Sequence, residues 1–170
     1  RRTRSCTTRG TAHGILLDSG AAALSARDAT INVLGSGNGI ENRAELDNVS
    51  LSNLTLNVGD GNGIRTAVAF DPASTVTTNV TGSGNGLTIA NADGSTTGGD
   101  LTLASGYVFN VTGAGGTGIR ANTTGNIVTA ASVNITNAAG GSALVSSTAG
   151  TIVNRGTLRS SSLTAPVVDL

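Results

Sequence analysis

Few side chains in this sequence could do chemistry, and their spacing decides which chemistry is open to them. GAGGTG (residues 113–118) fits the G-x-G-x-x-G phosphate-cradling pattern. A dinucleotide site needs a helix to follow, its N-terminus facing the pyrophosphate, with an acidic residue about 20 positions on. IRANTTGNIV follows instead, and no Asp or Glu occurs between Asp100 and Asp169, so the dinucleotide reading fails. GDGNG (residues 59–63) hints at calcium-binding nonapeptide repeats. Those need an acidic residue recurring in tandem, whereas Asp60 aligns with Ser and Ala in its related copies. Cys6 and His13, the one cysteine and the one histidine, are seven positions apart and offer no nucleophile–base pair. No cofactor, metal or catalytic residue is expected. The densest set of ligand-binding side chains is in NADGSTTGGD (residues 91–100), where Asn91, Asp93, Ser95, Thr96 and Asp100 form a candidate binding loop. Loops on rigid scaffolds often carry function; the plainer alternative is a tolerated insertion.

The elements that position these residues come from a repeat. A small residue followed by an aliphatic recurs at Gly14-Ile15, Gly39-Ile40, Gly63-Ile64, Gly86-Leu87, Gly118-Ile119, Ala143-Leu144 and Pro166-Val167, with spacings of 25, 24, 23, 32, 25 and 23. A second anchor, Asn beside aliphatic residues, recurs at Asn32, Asn57, Asn79, Asn110 and Asn134. The two anchors drift together, giving a period of about 24 residues with one long member. A looser third element (VSLSNLTL, DLTLAS, NIVTA, TIVN, and more weakly AALSA and AVAF) alternates apolar and polar residues, as half-buried strands do. GAAALSARD (residues 20–28) is the best helix candidate but is too short to stand alone.

Three short strands per 24 residues predict one coil of a parallel β-helix, all-β, with about six coils stacked about 4.8 Å apart. Ile15, Ile40, Ile64, Leu87, Ile119 and Leu144 would form one interior row, and Val33, Val58, Val80, Val111 and Ile135 another. Each coil then depends on its neighbours to bury its apolar face. A leucine-rich repeat has a similar period but requires a Leu-rich consensus and an asparagine ladder, which the sequence is not expected to provide. The extra eight or so residues of the long member are assigned to residues 91–100, a loop on the rod. Residues 11–170 form one domain, and residues 1–10, with Arg1, Arg2, Arg4 and Arg9, form a basic arm or cap. The Gly-rich turns are explained by φ freedom and close coil packing.

Stacking also sets the outer rows. Leu16, Glu41, Arg65, Thr88, Arg120 and Val145 form one, and Asp18, Arg43, Ala67, Ala90, Asn122 and Ser147 the next. Glu41 would face Arg65, and Asp18 would face Arg43, as opposite charges paired across strands. Glycosidases need paired carboxylates, and these rows do not supply them. A polysaccharide lyase or hydrolase using Glu41 and Arg65 is the enzymatic alternative. Of six N-x-S/T sequons (Asn48, Asn53, Asn79, Asn110, Asn122, Asn134), three, at Asn79, Asn110 and Asn134, belong to the repeat phrase itself, whose Asn is expected to point outward and be accessible.

Composition supports this architecture. Three aromatic residues and no Met or Trp leave Val, Ile, Leu and Ala to fill a narrow core. Net charge is zero, so there is no electrostatic reason to expect nucleic acid or an anionic membrane as partner. The chain shows no signal peptide, membrane-spanning run or initiating Met, and is expected to be a mature form or an excised segment.

GILLDSGAAALSARDATINVLGSGNGI (residues 14–40) resembles the coils of pertactin-type autotransporter passengers: Gly-Ile-Leu-Leu-acidic, an Ala-rich stretch, an apolar strand, and a Gly-rich turn back to Gly-Ile. The pattern extends over residues 11–168. The resemblance implies a right-handed parallel β-helix displayed outside a Gram-negative cell as an adhesin or virulence-associated scaffold. Its partners would be a host cell surface, an extracellular matrix component or another bacterial surface, with membrane contact only through a C-terminal barrel that this chain does not contain. The family's Arg-Gly-Asp triplet is missing; Arg155-Gly156-Thr157 does not replace it. A purely structural stalk segment is a third expectation.

Overall fold

The computed structural model describes residues 4–46, 48–68, 74–91, 93–136, 141–146 and 149–170. Among these there is no helix, and parallel sheets stack into a β-solenoid of about six turns with roughly 25 residues per turn. The first sheet has seven strands: β1 (Arg4–Gly10), β3 (Leu24–Gly35), β5 (Val49–Val58), β7 (Val76–Val80), β10 (Tyr107–Val111), β13 (Ser132–Ile135) and β16 (Thr157–Ser160). The second also has seven: β2 (Ile15–Leu17), β4 (Ile40–Asn42), β6 (Ile64–Thr66), β8 (Leu87–Ile89), β11 (Ile119–Ala121), β14 (Leu144–Ser146) and β17 (Val168–Asp169). A third sheet of three strands, β9 (Leu101–Leu103), β12 (Ile127–Thr129) and β15 (Ile152–Asn154), closes the later coils. Of the predicted third-element phrases, Ala69 and Phe70 of AVAF lie outside the described residues, as do Arg1 and Arg2 of the basic arm.

The two aliphatic rows stack in register, Ile15 through Leu144 in the second sheet and Val33 through Ile135 in the first. Alternation sets which side faces in: β7 and β10 alternate buried and half-buried residues along their whole length. Ile40, Ile64 and Ile119 are fully buried, each contributing about 1.5–3 kcal/mol by leaving water. Tyr107 and Phe109 lie in the same core with their rings stacked 6.0 Å apart. The last member of the repeat sits one residue later than expected: Leu144 pairs with Val168, not Val167. Leu144 N donates to Val167 O just as Ile119 N donates to Ala143 O, so Val167 occupies the small-residue position that the sequence pattern gave to Pro166.

Two further expectations change. The helix candidate is extended: β3 begins at Leu24 and bends at Asp28 (φ 49°), as β5 bends at Asn53 (φ 52°). Asp and Asn tolerate this left-handed conformation better than most residues. Asp28 and Asn53 drop out of the pairing register and stack on each other, Asn53 Nδ2 donating to Asp28 Oδ1 at 3.0 Å. These long bent strands wrap a corner that later coils turn with a separate strand of the third sheet.

The second concerns the Gly-rich turns, where φ freedom accounts for Gly115 (φ 79°) but not for the glycines of the earlier copies. Gly39, Gly61, Gly63, Gly84 and Gly86 all have ordinary negative-side φ. A Cβ on Gly39 would meet Gly63 O at 2.5 Å, and one on Gly86 would meet Gly118 O at 2.6 Å; on Gly61 and Gly84 it would collide with the carbonyls of Gly37 and Gly61. At these five positions close stacking of one turn on the next, the other half of the sequence expectation, excludes the side chain.

The long coil is also distributed differently. Twelve positions separate Ile89 from Leu101 against six between Ala121 and Ile127, so six extra residues precede β9. Five separate Leu103 from Val108 against three between Thr129 and Ser132, placing two more in the turn before β10.

Candidate functional site

The outer row of the second sheet runs in register through Leu16, Glu41, Arg65, Thr88, Arg120 and Val145 and continues to Asp169. Glu41 and Arg65 meet as expected, Arg65 Nη1 lying 3.0 Å from Glu41 Oε1. Glu41 is not a surface carboxylate, however: its side chain is 2% exposed. Asn38 Nδ2 donates to its Oε2, and Arg43 Nε approaches its Oε1 at 3.4 Å. The expected Asp18–Arg43 pair does not form. Arg43 and Ala44 N–H both donate to Leu17 O, so the chain turns out of the ladder after β4. Arg43 swings toward Glu41, and Asp18 accepts from Ser19 N at the start of its own turn. Of the second outer row, Ala67 and Ala90 are buried, Asn122 is half-buried, and Ser147 lies outside the described residues.

Arg65 reaches the candidate loop. Its Nη2 donates to Asn91 O at 3.1 Å. The loop closes on itself: Asn91 N donates to Ser95 O, Gly94 N to Asn91 O, and Asn91 Nδ2 to both Ser95 Oγ and Thr96 O. Gly94, at φ 85°, makes the reversal that a Cβ would strain. Asn122 on the next coil holds the far side, donating to Gly94 O at 2.8 Å and accepting from Thr96 Oγ1 at 2.8 Å. Asp93 accepts from Ser95 N. The Ser95 hydroxyl first, and its N–H second, hold the Asp93 carboxyl below the usual range, with a smaller contribution from Arg65. Thr97 then rejoins the stack by bridging to Thr123.

Asn91, Asp93, Ser95 and Thr96 are therefore brought together. Asp100 is not with them. It lies before β9, where its Oδ1 caps Asn126 N on the next rung at 2.7 Å. Between the loop and the sheet is a groove of about 320 Å³, lined by Arg65, Thr88, Arg120, Asn122 and Val145 among others. Arg65 is neutralised by Glu41. Arg120 is exposed, and no hydrogen bond or ion pair with a described residue engages its guanidinium. The groove thus presents one free, forked cation beside amide and hydroxyl groups, an arrangement suited to a carboxylate or other oxyanion on a larger polar ligand. Among the described residues no group of three His, Cys, Asp or Glu could hold a metal ion.

Sequence reasoning missed the asparagine ladders, and the structure has two. On the outer face of the first sheet, Asn57 Nδ2 donates to Asn32 Oδ1 (2.8 Å), Asn79 to Asn57 (2.8 Å), Asn110 to Asn79 (2.9 Å) and Asn134 to Asn110 (3.2 Å). In the Gly-rich turns, Asn38 Oδ1 accepts from both Asn62 N (2.8 Å) and Asn62 Nδ2 (3.0 Å), and Asn62 Oδ1 likewise from Asn85. His13 Nδ1 begins this second ladder by accepting from Asn38 N at 3.0 Å. The signal was available in the recurrence of Asn at both anchors. The sequons at Asn79, Asn110 and Asn134 consequently have half-buried amides already engaged in the ladder.

The chain matches no protein-family profile, no curated protein and no solved structure.

Proposed function

We propose that the chain is a rod segment of a surface-exposed or secreted passenger that acts as an adhesin or host-interaction scaffold, binding through its outer face. The partner class is a host cell surface, an extracellular matrix component or another bacterial surface. The location that goes with this reading is extracellular or the outward side of a bacterial outer membrane. The resemblance of residues 14–40 to autotransporter coils supports the secretion class. The observation that carries the binding reading is the groove beside the pinned loop, where a free Arg120 stands on a rigid stack. A preorganised loop loses little conformational entropy on binding, and an exposed guanidinium selects an acidic group on the partner.

Attachment of the purified rod to immobilised cells or matrix is the direct test. Arg120→Ala should lower attachment at least severalfold while the fold is retained, and replacing residues 91–96 with a short turn should do the same. Unchanged attachment in both variants would remove this groove from consideration. Turnover of an acidic polysaccharide that is abolished by Glu41→Gln would favour a lyase or hydrolase instead.

A further inference from the structure

The most regular surface of the molecule is not the groove but the outer face of the first sheet. Beyond the Asp28/Asn53 corner its outward residues fall into three columns. The first is Thr30, Thr55, Thr77, Val108 and Ser132; the second is Asn32, Asn57, Asn79, Asn110 and Asn134. The third is Leu34 and Gly59 on the first two of these rungs and then, from the N-V-T and N-I-T phrases, Thr81, Thr112 and Thr136. Between Thr30 and Thr136 these positions carry no charge; Arg9 and Arg159 stand only on the terminal rungs. No aromatic ring lies on this face among the described residues, since Tyr107 and Phe109 are buried.

The amide ladder bears on the shape of this face. Side-chain bonds of 2.8–3.2 Å at all four steps require each Asn to stand directly over the last. Side-chain ladders of this kind hold a many-stranded sheet flatter than its natural twist. The Thr30, Thr55 and Thr77 hydroxyls take no hydrogen-bond partner in the described protein and keep their full capacity for solvent. Thr81 and Thr112 donate back to Val58 O and Val80 O, both at 3.3 Å, which fixes the orientation of their hydroxyls. The result is a grid of hydroxyls, amides and methyls, repeating about 4.8 Å along the rod and about 6.6 Å along each strand.

We propose that this face binds ice, the crystalline form of water, by templating an ordered water layer. The rung repeat lies near the shorter oxygen–oxygen repeat of the prism faces of ordinary ice. A rigid uncharged grid can order water without the strong, disordering hydration shell of a charge. A crystalline polysaccharide would present a comparable lattice, but the face has no aromatic platform on which sugar rings could stack. Lateral pairing with a second copy is the other way to cover a flat ladder of Asn and Thr.

The test freezes a dilute solution slowly onto a cold surface and measures protein in the ice and the remaining liquid, with ice-crystal growth followed by microscopy. Wild-type protein should be enriched in ice at least fivefold over an inert protein of similar size, and should facet growing crystals. Thr77→Lys and Thr55→Lys, which place a charge in the grid, should each abolish enrichment while circular dichroism stays unchanged. Thr102→Lys on the third sheet should retain it. Exclusion of the wild type from ice would overturn the proposal, as would enrichment that survives both substitutions. So would selective pelleting with cellulose or chitin, or a solution dimer that Thr77→Lys dissolves. None of these readouts depends on Arg120, so the cell-attachment reading stands or falls separately.

Discussion

Removing Arg65 should cost far more than its position in an outer row implies. Glu41 is 2% exposed and its neighbours are fixed: Arg65 Nη1 at 3.0 Å, the Asn38 amide, and Arg43 Nε at 3.4 Å on a side chain that is 44% exposed. Arg65→Ala leaves a buried carboxylate with one amide and one loosely held cation. Breaking a buried pair by removing one partner costs about 3–5 kcal/mol; the residual contacts place this case near the lower bound, about 3 kcal/mol. The same substitution frees Asn91 O, about 1 kcal/mol for a lost hydrogen bond. Arg43→Ala removes only the exposed partner and should cost about 0.2–1 kcal/mol. Glu41→Gln combined with Arg65→Ala should be less damaging than the sum of the two, by about 1.5–3 kcal/mol, because the uncompensated charge is gone. Urea unfolding followed by circular dichroism measures the wild type, the three single variants and the double variant on one scale. An Arg65→Ala loss below about 1 kcal/mol, no larger than that of Arg43→Ala, would refute the reasoning and return Glu41–Arg65 to the class of weak surface pairs.

Thr78 Oγ1 is buried without a hydrogen-bond partner, so Thr78→Val should stabilise by about 1 kcal/mol, read as a raised urea midpoint. Gly63→Ala should destabilise by about 1–3 kcal/mol or more, since the new Cβ meets Gly86 O at 2.5 Å and collides with the Thr78 methyl; an unchanged midpoint would mean the turns can separate. Asn79→Ala removes two rungs' worth of ladder bonds and should cost about 1–2 kcal/mol, with faster amide exchange in β7 and β10. Asp93 has its folded pKa depressed by Ser95. Its contribution to loop closure is therefore fully present above the unfolded carboxyl value and is lost only as pH falls through the lower folded value. Amide exchange at Ser95 should show a pH effect beyond the intrinsic one only below about pH 4.

The coil was legible because its two anchors are each tied to a single physical requirement. The Gly-aliphatic anchor combines a turn with no room for a Cβ and an interior position with no access to water; both are properties of one residue, so both appear in one sequence. The outer rows follow by counting along β2, β4, β6, β8 and β11, and the count holds for Glu41, Arg65 and Arg120. It fails one step later. Beyond Asn42 the backbone leaves the ladder, and a register extrapolated past the end of a strand no longer says which side chains meet, so Arg43 pairs with Glu41 and not with Asp18. Burial was illegible for a similar reason. An outward position on a strand is exposed only if nothing folds over it, and Glu41 is covered by side chains from residues 38, 43 and 65, three separate places in the sequence.

The asparagine ladders show why a repeated polar residue carries more than an outward orientation. An Asn amide has one good donor direction and one good acceptor direction along the stacking axis, so a column of Asn satisfies itself, and each member's register is fixed by both neighbours. In the turns the same residue accepts a backbone N–H as well as the next amide. This ties the position of each Gly-rich turn to the one before it and holds the neighbouring glycines within contact distance of the next carbonyl. Gly and Asn are therefore coupled: the ladder sets a spacing that only Gly can fill, and the absence of a Cβ lets the amides come within bonding range. The next turn, residues 113–118, has Thr117 at the Asn position and still keeps its register, because Thr117 N donates to Asn85 Oδ1 at 3.1 Å; a turn that lost its glycines would instead hold its Asn out of reach. Both residues recur together at 36–40, 60–64 and 83–87, where the amide fixes each turn on the last and the glycines give it room.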